Sequence, residues 1–172
     1  MRSLLWLSIF LLSASICHAE TDPSIVHLDI RVASASLGDD SARLPYKDDY
    51  CFLKAEDTYH ISASILWSLS RLESGHNVRA VNKNANGTLD YCHMQINSGW
   101  RRYIGKENWA RLEDPCYCTM VGAWILAQCI QKHGYTWEAI GCYHSPNRAR
   151  GMWYARKVHN LLEGASNSGQ TP

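Results

Sequence analysis

Residues 62–75 read SASILWSLSRLESG, and this stretch decides the fold class. Its large apolar side chains recur every three or four residues, which places them on one face of a helix. Ser62 can cap that helix and Gly75 can end it. Glu73 therefore stands at the end of a helix that must bury its apolar face, and we expect its carboxyl group to emerge at the wall of a cleft. The buried face consists of Ile65, Leu66, Leu69 and Leu72.

Helical spacing continues on both sides of this segment. A short helix is predicted over residues 51–59, and the last helix over residues 149–162. The clearest pattern begins with Thr119 as a cap and ends at Gly134, and Thr136 then opens a further short helix. We expect the helix after Thr119 to lie at the centre of the core. Its apolar face consists of Met120, Val121, Ala123, Trp124, Ala127 and Ile130.

The helical pattern breaks between residues 78 and 91, where Asn, Lys and Gly are frequent. The dipeptide Asn86-Gly87 is a strong signal for a tight turn between two short strands. Asp90 lies in this region, and we interpret it as a turn-forming aspartate rather than a catalytic acid. The sequence therefore predicts a mainly α-helical domain with a small β-hairpin beside the glutamate.

The N-terminus has the features of a secretory signal peptide. One positive charge precedes an apolar run over residues 4–16 that is too short to span a bilayer comfortably. We expect cleavage after Ala19 and export of the rest, and an uncleaved membrane anchor is the alternative. The chain is then divided into a signal peptide (1–19), an extended lead-in (20–47), a folded domain (48–164) and a flexible tail (165–172).

The charge of the exported chain excludes some partners. Of the 17 Lys and Arg residues, Arg2 leaves with the signal peptide, so the remainder match the 16 Asp and Glu residues in number. Basic residues are also spread along the chain rather than clustered. Neither nucleic acid nor an acidic membrane surface is therefore an expected partner.

Six cysteines remain after the signal peptide is removed, and an even number in an exported protein indicates disulfides. Zinc is the alternative use of cysteine and histidine. It is disfavoured because a single residue separates Cys116 from Cys118 and no C-x-x-C motif follows them. The six are Cys51, Cys92, Cys116, Cys118, Cys129 and Cys142.

Three segments taken together resemble the bacterial lytic transglycosylases of the soluble, goose-lysozyme-like type. They read LESG at 72–75, YCHMQIN at 91–97 and AIGCYH at 139–144, in the order and spacing of that family. Other segments resemble the small members that accompany secretion, conjugation and pilus machines; these are residues 51–52, 114–116, 122–127 and 154–158. The resemblance covers residues 48–162 and implies a lysozyme-like fold and a periplasmic location.

The resemblance assigns roles to individual residues. Glu73 matches the catalytic acid and base of the family, and Ser74 matches the neighbour that helps to orient its carboxyl group. Gln95 matches the polar residue that faces the sugar. Tyr143 matches the tyrosine that hydrogen-bonds near the glutamate, and Tyr154 matches a later tyrosine that lines the cleft. The implied substrate-binding set is Ser74, Met94, Gln95, Tyr143, His144 and Tyr154.

The chain departs from the family pattern in two places. Cys92-His93 stands where Gly-Leu is common, and His144 stands where Asn is frequent. Both changes bear on how the substrate fits. We interpret such a histidine as a hydrogen-bonding residue of the cleft wall rather than a catalyst, because the chemistry already has an acid.

The implied reaction is cleavage of the glycan strands of peptidoglycan, with formation of a 1,6-anhydro ring on N-acetylmuramic acid. A lysozyme-type hydrolase, in which water attacks instead, and an inactive peptidoglycan-binding assembly factor are the alternatives. No cofactor or metal is implied. We expect a monomer whose partners are glycan strands and components of a secretion or pilus machine.

The disulfide pairing remains open at this stage because six cysteines allow 15 pairings. Cys92 and Cys142 each replace a small residue in motifs that converge on Glu73, so we expect a bond between them, with two independent buried thiols as the alternative. Cys51 with Cys116 is the next expectation. Cys118 and Cys129 could then pair only if Cys118 precedes the central helix, because within one helix they would lie ~16 Å apart.

Overall fold

The computed structural model describes residues 48–168, and within them the chain is mainly helical, as predicted. The predicted signal peptide and the lead-in lie outside the described residues. The helices are α1 (Phe52–Tyr59), α2 (Ala63–Ser74), α3 (Arg101–Ile104), α4 (Lys106–Ala110), α5 (Pro115–His133), α6 (Trp137–His144) and α7 (Arg148–Ser168). The strands are β1 (Val81–Lys83), β2 (Leu89–Tyr91) and β3 (Ile96–Asn97).

Helix α2 lies in the core as its apolar spacing predicts. Ile65, Leu66 and Leu69 are fully buried, and the helix ends where Gly75 adopts a left-handed conformation with φ 64°. The residue before the helix is Ser62, but its hydroxyl contacts that of Ser64 at 2.7 Å and does not cap a helix N–H. The helix is therefore positioned by burial more than by its N-cap.

The predicted hairpin is present as β1 and β2, with β3 added antiparallel to β2. The Asn84 N–H donates to the Thr88 carbonyl at 2.9 Å, and Gly87 takes a positive φ of 83° between them. Asp90 lies in strand β2 and not in the turn, so its turn-forming interpretation is wrong. Its two carboxylate oxygens accept from the side-chain amides of Asn84 at 2.9 Å and Asn97 at 2.7 Å.

The central helix α5 begins at Pro115, four positions before the predicted cap Thr119 is reached. The Asp114 carboxylate accepts from the N–H of Tyr117 at 2.7 Å, and Pro115 occupies the first helical position, where its missing N–H costs nothing. Cys118 therefore lies inside the helix. This correction changes the disulfide pairing.

The disulfides join Cys51 to Cys116, Cys92 to Cys118, and Cys129 to Cys142. The first pair is the predicted one, and the predicted bond between Cys92 and Cys142 is wrong. Because α5 starts early, Cys118 on its first turns lies against the segment that carries Cys92. Cys129 lies three turns further along α5 and faces α6, where Cys142 is located.

Helices α6 and α7 cross with their backbones in contact. A β-carbon built on Gly141 would lie 2.6 Å from the carbonyl carbon of Gly151, closer than any real side chain approaches. Helix α7 continues to Ser168, past the helix end predicted at Leu162. No helix among residues 48–168 combines the length and apolar character needed to cross a membrane.

The crossing of α6 and α7 predicts opposite effects for two helical glycines. We expect Gly141→Ala to lower the free energy of unfolding by about 2 kcal/mol or more, because the methyl group forces the two backbones apart. Gly164→Ala, where nothing lies within 4 Å, should be neutral or slightly stabilising. Thermal or denaturant unfolding of the two variants measures the difference, and equal stability would contradict this view of the crossing.

Candidate active site

Glu73 is the second-last residue of α2, and 14% of its side chain is exposed. The helix brings it to the surface just where the apolar face ends, as the sequence predicts. Its carboxylate oxygen Oε1 lies 3.7 Å from Nδ1 of His144, the last residue of α6. The carboxyl group is thus largely shielded from water and still open on one side.

Tyr154 on α7 lies beside Glu73 with its hydroxyl buried. Burial, and then the neighbouring Glu73 carboxylate, raise the pKa of Tyr154 well above its usual value. The contact with Glu73 falls outside strict hydrogen-bond geometry, and among the described residues the hydroxyl has no other partner. The His144 ring stacks on the Tyr154 ring with centroids 4.4 Å apart and planes 1° from parallel. Glu73, Tyr154 and His144 therefore form one cluster.

Tyr143 connects α6 to the motif loop, which we define as residues 91–97. Its hydroxyl donates to the carbonyl of Met94 at 2.8 Å. Burial, followed by the charges of Glu73 and Asp90, raises the pKa of Tyr143 well above its usual value. The phenol therefore stays neutral and can act only through its O–H and its ring.

The motif loop is held by its own backbone and by α2. Gln95 has a positive φ of 50°, and its side-chain nitrogen Nε2 donates to the Cys92 carbonyl at 2.9 Å. The Ser74 hydroxyl donates to the carbonyl of His93 at 2.9 Å. The structure thus uses Ser74 to hold this loop. Contacts of Ser74 and Gln95 with a sugar stay predictions.

Met94 corrects one residue of the predicted substrate-binding set. Its side chain is fully buried and packs against Gly122 on α5, where a β-carbon would lie 2.6 Å from the terminal methyl group. The Met94 side chain is therefore part of the core and does not line the cleft. Its carbonyl group, bound by Tyr143, is the part that helps to shape the site.

His93 makes hydrogen bonds as predicted, but in the core and not at the cleft wall. Its Nδ1 lies 2.8 Å from the Ser70 hydroxyl and its Nε2 lies 3.0 Å from the Pro115 carbonyl. The same Ser70 hydroxyl lies 2.7 Å from Nδ1 of His76. Burial lowers the pKa of His93 to about 4, although the Pro115 carbonyl opposes this shift. The imidazole is therefore neutral in the folded protein near pH 7.

Sequence reasoning missed the partners of His93. Ser70 is fully buried on α2, and its hydroxyl bridges His76 and His93. The Tyr50 hydroxyl donates to the His76 carbonyl at 2.6 Å, which ties the start of the domain to the same cluster. The available signal was a serine on the buried side of an apolar helix together with a histidine where the family commonly has leucine. A polar pair in a core has to find partners.

A groove of about 440 Å³ lies beside the site, across α5, α6 and the start of α7, and Glu73 itself does not line it. Tyr143 and His144 line it at the Glu73 end, and Trp100 is fixed in its wall by an edge-on contact with Trp124 at 5.4 Å. The rest of the lining includes apolar side chains, such as Ile125 and Met152, and polar or charged ones; the latter include Gln128, Lys132, His133, Glu138 and Arg148. Among the described residues, no group of three or more acidic, His or Cys side chains could hold a metal ion.

The helical fold and the shielded glutamate at the end of a core helix together define a lysozyme-like domain. A carboxyl group in such a place can give a proton to an oxygen atom and take one back. Residues 50–160 match the family model of the transglycosylase SLT domain, and the chain belongs to this family.

Curated relatives share this similarity. The chain is 35% identical to Invasion protein IagB of Salmonella typhimurium (strain SL1344) over 126 residues, which cover 67% of this chain and 79% of that protein. It is 37% identical to Protein IpgF of Shigella flexneri over 98 residues, which cover 55% of this chain and 64% of that protein. It is 30% identical to X polypeptide of Escherichia coli over 129 residues, which cover 69% and 75%.

The buried His93 predicts a pH dependence of stability. The unfolded chain takes up this proton near pH 6.5 and the folded chain only near pH 4, so the unfolded state binds more protons between those values. Stability contributed by neutral His93 is therefore lost as the pH falls from about 6.5 to about 4, by at most about 3 kcal/mol.

Denaturant unfolding at several pH values measures this slope, and His93→Leu is the informative variant. Ser70 keeps His76 as a partner and the Pro115 carbonyl keeps the Thr119 hydroxyl at 3.2 Å, so the substitution leaves few groups unsatisfied. We expect the variant to lose most of the slope. A slope equal to that of the unsubstituted protein would show that other groups cause it.

Proposed function

We propose that this chain is an active peptidoglycan lytic transglycosylase that cleaves the bond between N-acetylmuramic acid and N-acetylglucosamine. The observation that carries the proposal is the enclosure of Glu73 by Tyr154 and His144, and His144 also borders an open groove. Membership of the SLT family supports the substrate class. The Glu73 side chain is 14% exposed, so its carboxyl group remains accessible to a substrate oxygen at the end of α2.

Glu73 would act first as an acid and then as a base. It donates its proton to the bridging oxygen while the bond from that oxygen to C1 of the muramic acid breaks. The carboxylate then accepts the proton of the 6-hydroxyl of the same sugar, and O6 bonds to C1 to close the anhydro ring. The proton thus passes from O6 to the leaving oxygen through Glu73, and no water is consumed.

A single carboxyl group suffices when the substrate's own N-acetyl group stabilises the charge that develops at C1. Asp90 is the acid within the neighbouring hairpin, and both of its carboxylate oxygens are occupied by the amides of Asn84 and Asn97. It is therefore unsuited to act as a nucleophile. This arrangement supports the one-carboxyl reaction.

The cellular role would be local opening of the wall for a secretion or pilus apparatus. The relative IagB is named as an invasion protein, which supports a role at a host-directed machine. The signal peptide expected at residues 1–19 supports a periplasmic location. We propose that the enzyme works as a monomer on glycan strands and needs no cofactor.

The nature of the new chain ends tests the reaction directly. Digestion of purified sacculi followed by mass spectrometry should give fragments that end in 1,6-anhydro-N-acetylmuramic acid. Reducing ends would indicate a lysozyme-type hydrolase. Binding to sacculi without any soluble product would indicate an inactive assembly factor, and either of these two results would reject the proposed reaction.

Glu73→Gln should abolish cleavage while the protein stays folded, because the amide keeps the shape of the side chain but cannot donate the proton. Loss of a positioned acid should lower the rate ~100-fold or more. Glu107→Gln, the same change at an exposed position on α4, is the matched control and should retain full activity. A rate for Glu73→Gln within about tenfold of the unsubstituted protein would reject Glu73 as the catalytic acid.

A further inference from the structure

His144 is held in a fixed position against the candidate catalytic acid. Its ring lies flat on the Tyr154 ring, with centroids 4.4 Å apart and planes 1° from parallel, and Tyr154 itself is buried. The stack fixes the plane of the imidazole, and the ring nitrogen Nδ1 then lies 3.7 Å from Oε1 of Glu73. The position of this nitrogen is therefore set by packing and not by chance on a mobile side chain.

The two members of the pair differ in their access to water. The His144 side chain is 38% exposed, so it can exchange protons with solvent, whereas Glu73 is 14% exposed. The space between the imidazole and the carboxyl group is partly shielded from water. An electrostatic interaction between the two groups is consequently stronger there than at an open surface. Histidine is also the side chain that ordinarily changes its charge between pH 5 and pH 8.

Other groups near His144 do not place a positive charge as close to the Glu73 carboxyl group. Tyr143 and Tyr154 stay neutral because their pKa values are raised well above the usual value. In the groove that His144 borders, Glu138 is shared between Arg148 at 3.6 Å and His133 at 3.9 Å. Lys132 also lines this groove.

We propose that His144 is a positioning residue that acts through Glu73: its positive charge, held 3.7 Å from Oε1, stabilises the carboxylate form of the acid. This inference rests on the function proposed above. With His144 in place, cleavage is confined to more acidic conditions. A chain with the uncharged asparagine that the resemblance leads one to expect at this position would remain active to higher pH.

Pairs of pH profiles test the inference. The rate constant kcat/KM on soluble glycan strands is measured between pH 4 and pH 9 at low ionic strength, where charges are least screened. His144→Asn removes the ring and the charge, whereas His144→Phe keeps a ring on Tyr154 and removes only the charge. We expect the alkaline midpoint of the profile to rise by about one pH unit in both variants.

A purely structural role for His144 would give a different result. The rate would then fall at every pH in His144→Asn, would recover in His144→Phe, and would keep the same midpoint in both. That outcome overturns the proposal. His159→Asn is the matched control, because His159 also lies 3.9 Å from a glutamate, but that glutamate, Glu163, is 62% exposed. Its profile should coincide with that of the unsubstituted protein.

A second measurement separates this inference from the proposed function. The carboxyl carbon of Glu73 is followed by NMR in isotope-labelled protein without substrate, in the unsubstituted protein and in His144→Asn. We expect the Glu73 titration to move to higher pH in the variant whether or not glycan is cleaved. Coincident titrations would overturn the role of His144, whereas absence of cleavage at every pH would reject only the proposed enzyme.

Discussion

The backbone contact between α6 and α7 is the constraint on which the site depends. Gly141 and Gly151 have no side chains, and their main chains therefore approach more closely than any other residue pair would allow. This approach brings Tyr143 and His144 at the end of α6 next to Tyr154 on α7. The three rings can enclose Glu73 only because the crossing is so tight. The arrangement of the cleft residues thus depends on Gly141 and Gly151, which have no reactive side chains.

The first turn of α5 is the second anchor of the structure. Cys116 and Cys118 bind covalently to the start of the domain and to the motif loop, and the Pro115 carbonyl receives the hydrogen bond of His93. The loop is therefore attached to α5 both by a disulfide and by a buried polar contact. Ser74 attaches the same loop to the end of α2 beside Glu73. The loop and the acid consequently share one rigid frame.

Local signals predicted the fold well, and contacts between distant segments were predicted poorly. The spacing of apolar residues in α2 and the stop at Gly75 depend only on neighbours in sequence, and both were correct. The start of α5 was predicted at Thr119, whereas the helix is capped by Asp114 and begins at Pro115, so Cys118 lies inside the helix. Met94 was misjudged because its exposure depends on Gly122 on another element. The resemblance implied a cluster that the structure also shows; it consists of Glu73, Tyr143, His144 and Tyr154. The order of motifs in a family indicates which distant segments lie together in the fold, whereas the spacing of apolar residues does not.

The order of the cysteines has a consequence for how the oxidised protein is made. A chain that emerges from its N-terminus exposes Cys51 and then Cys92 before either partner on α5 has appeared. Oxidation in order of emergence would join these two to each other and leave Cys116 and Cys118, one residue apart, without their native partners. The native framework is reached only if oxidation waits for α5 or if thiol–disulfide exchange reshuffles the first bond. A disulfide isomerase added to the oxidant should accordingly raise the yield of protein with the native disulfides.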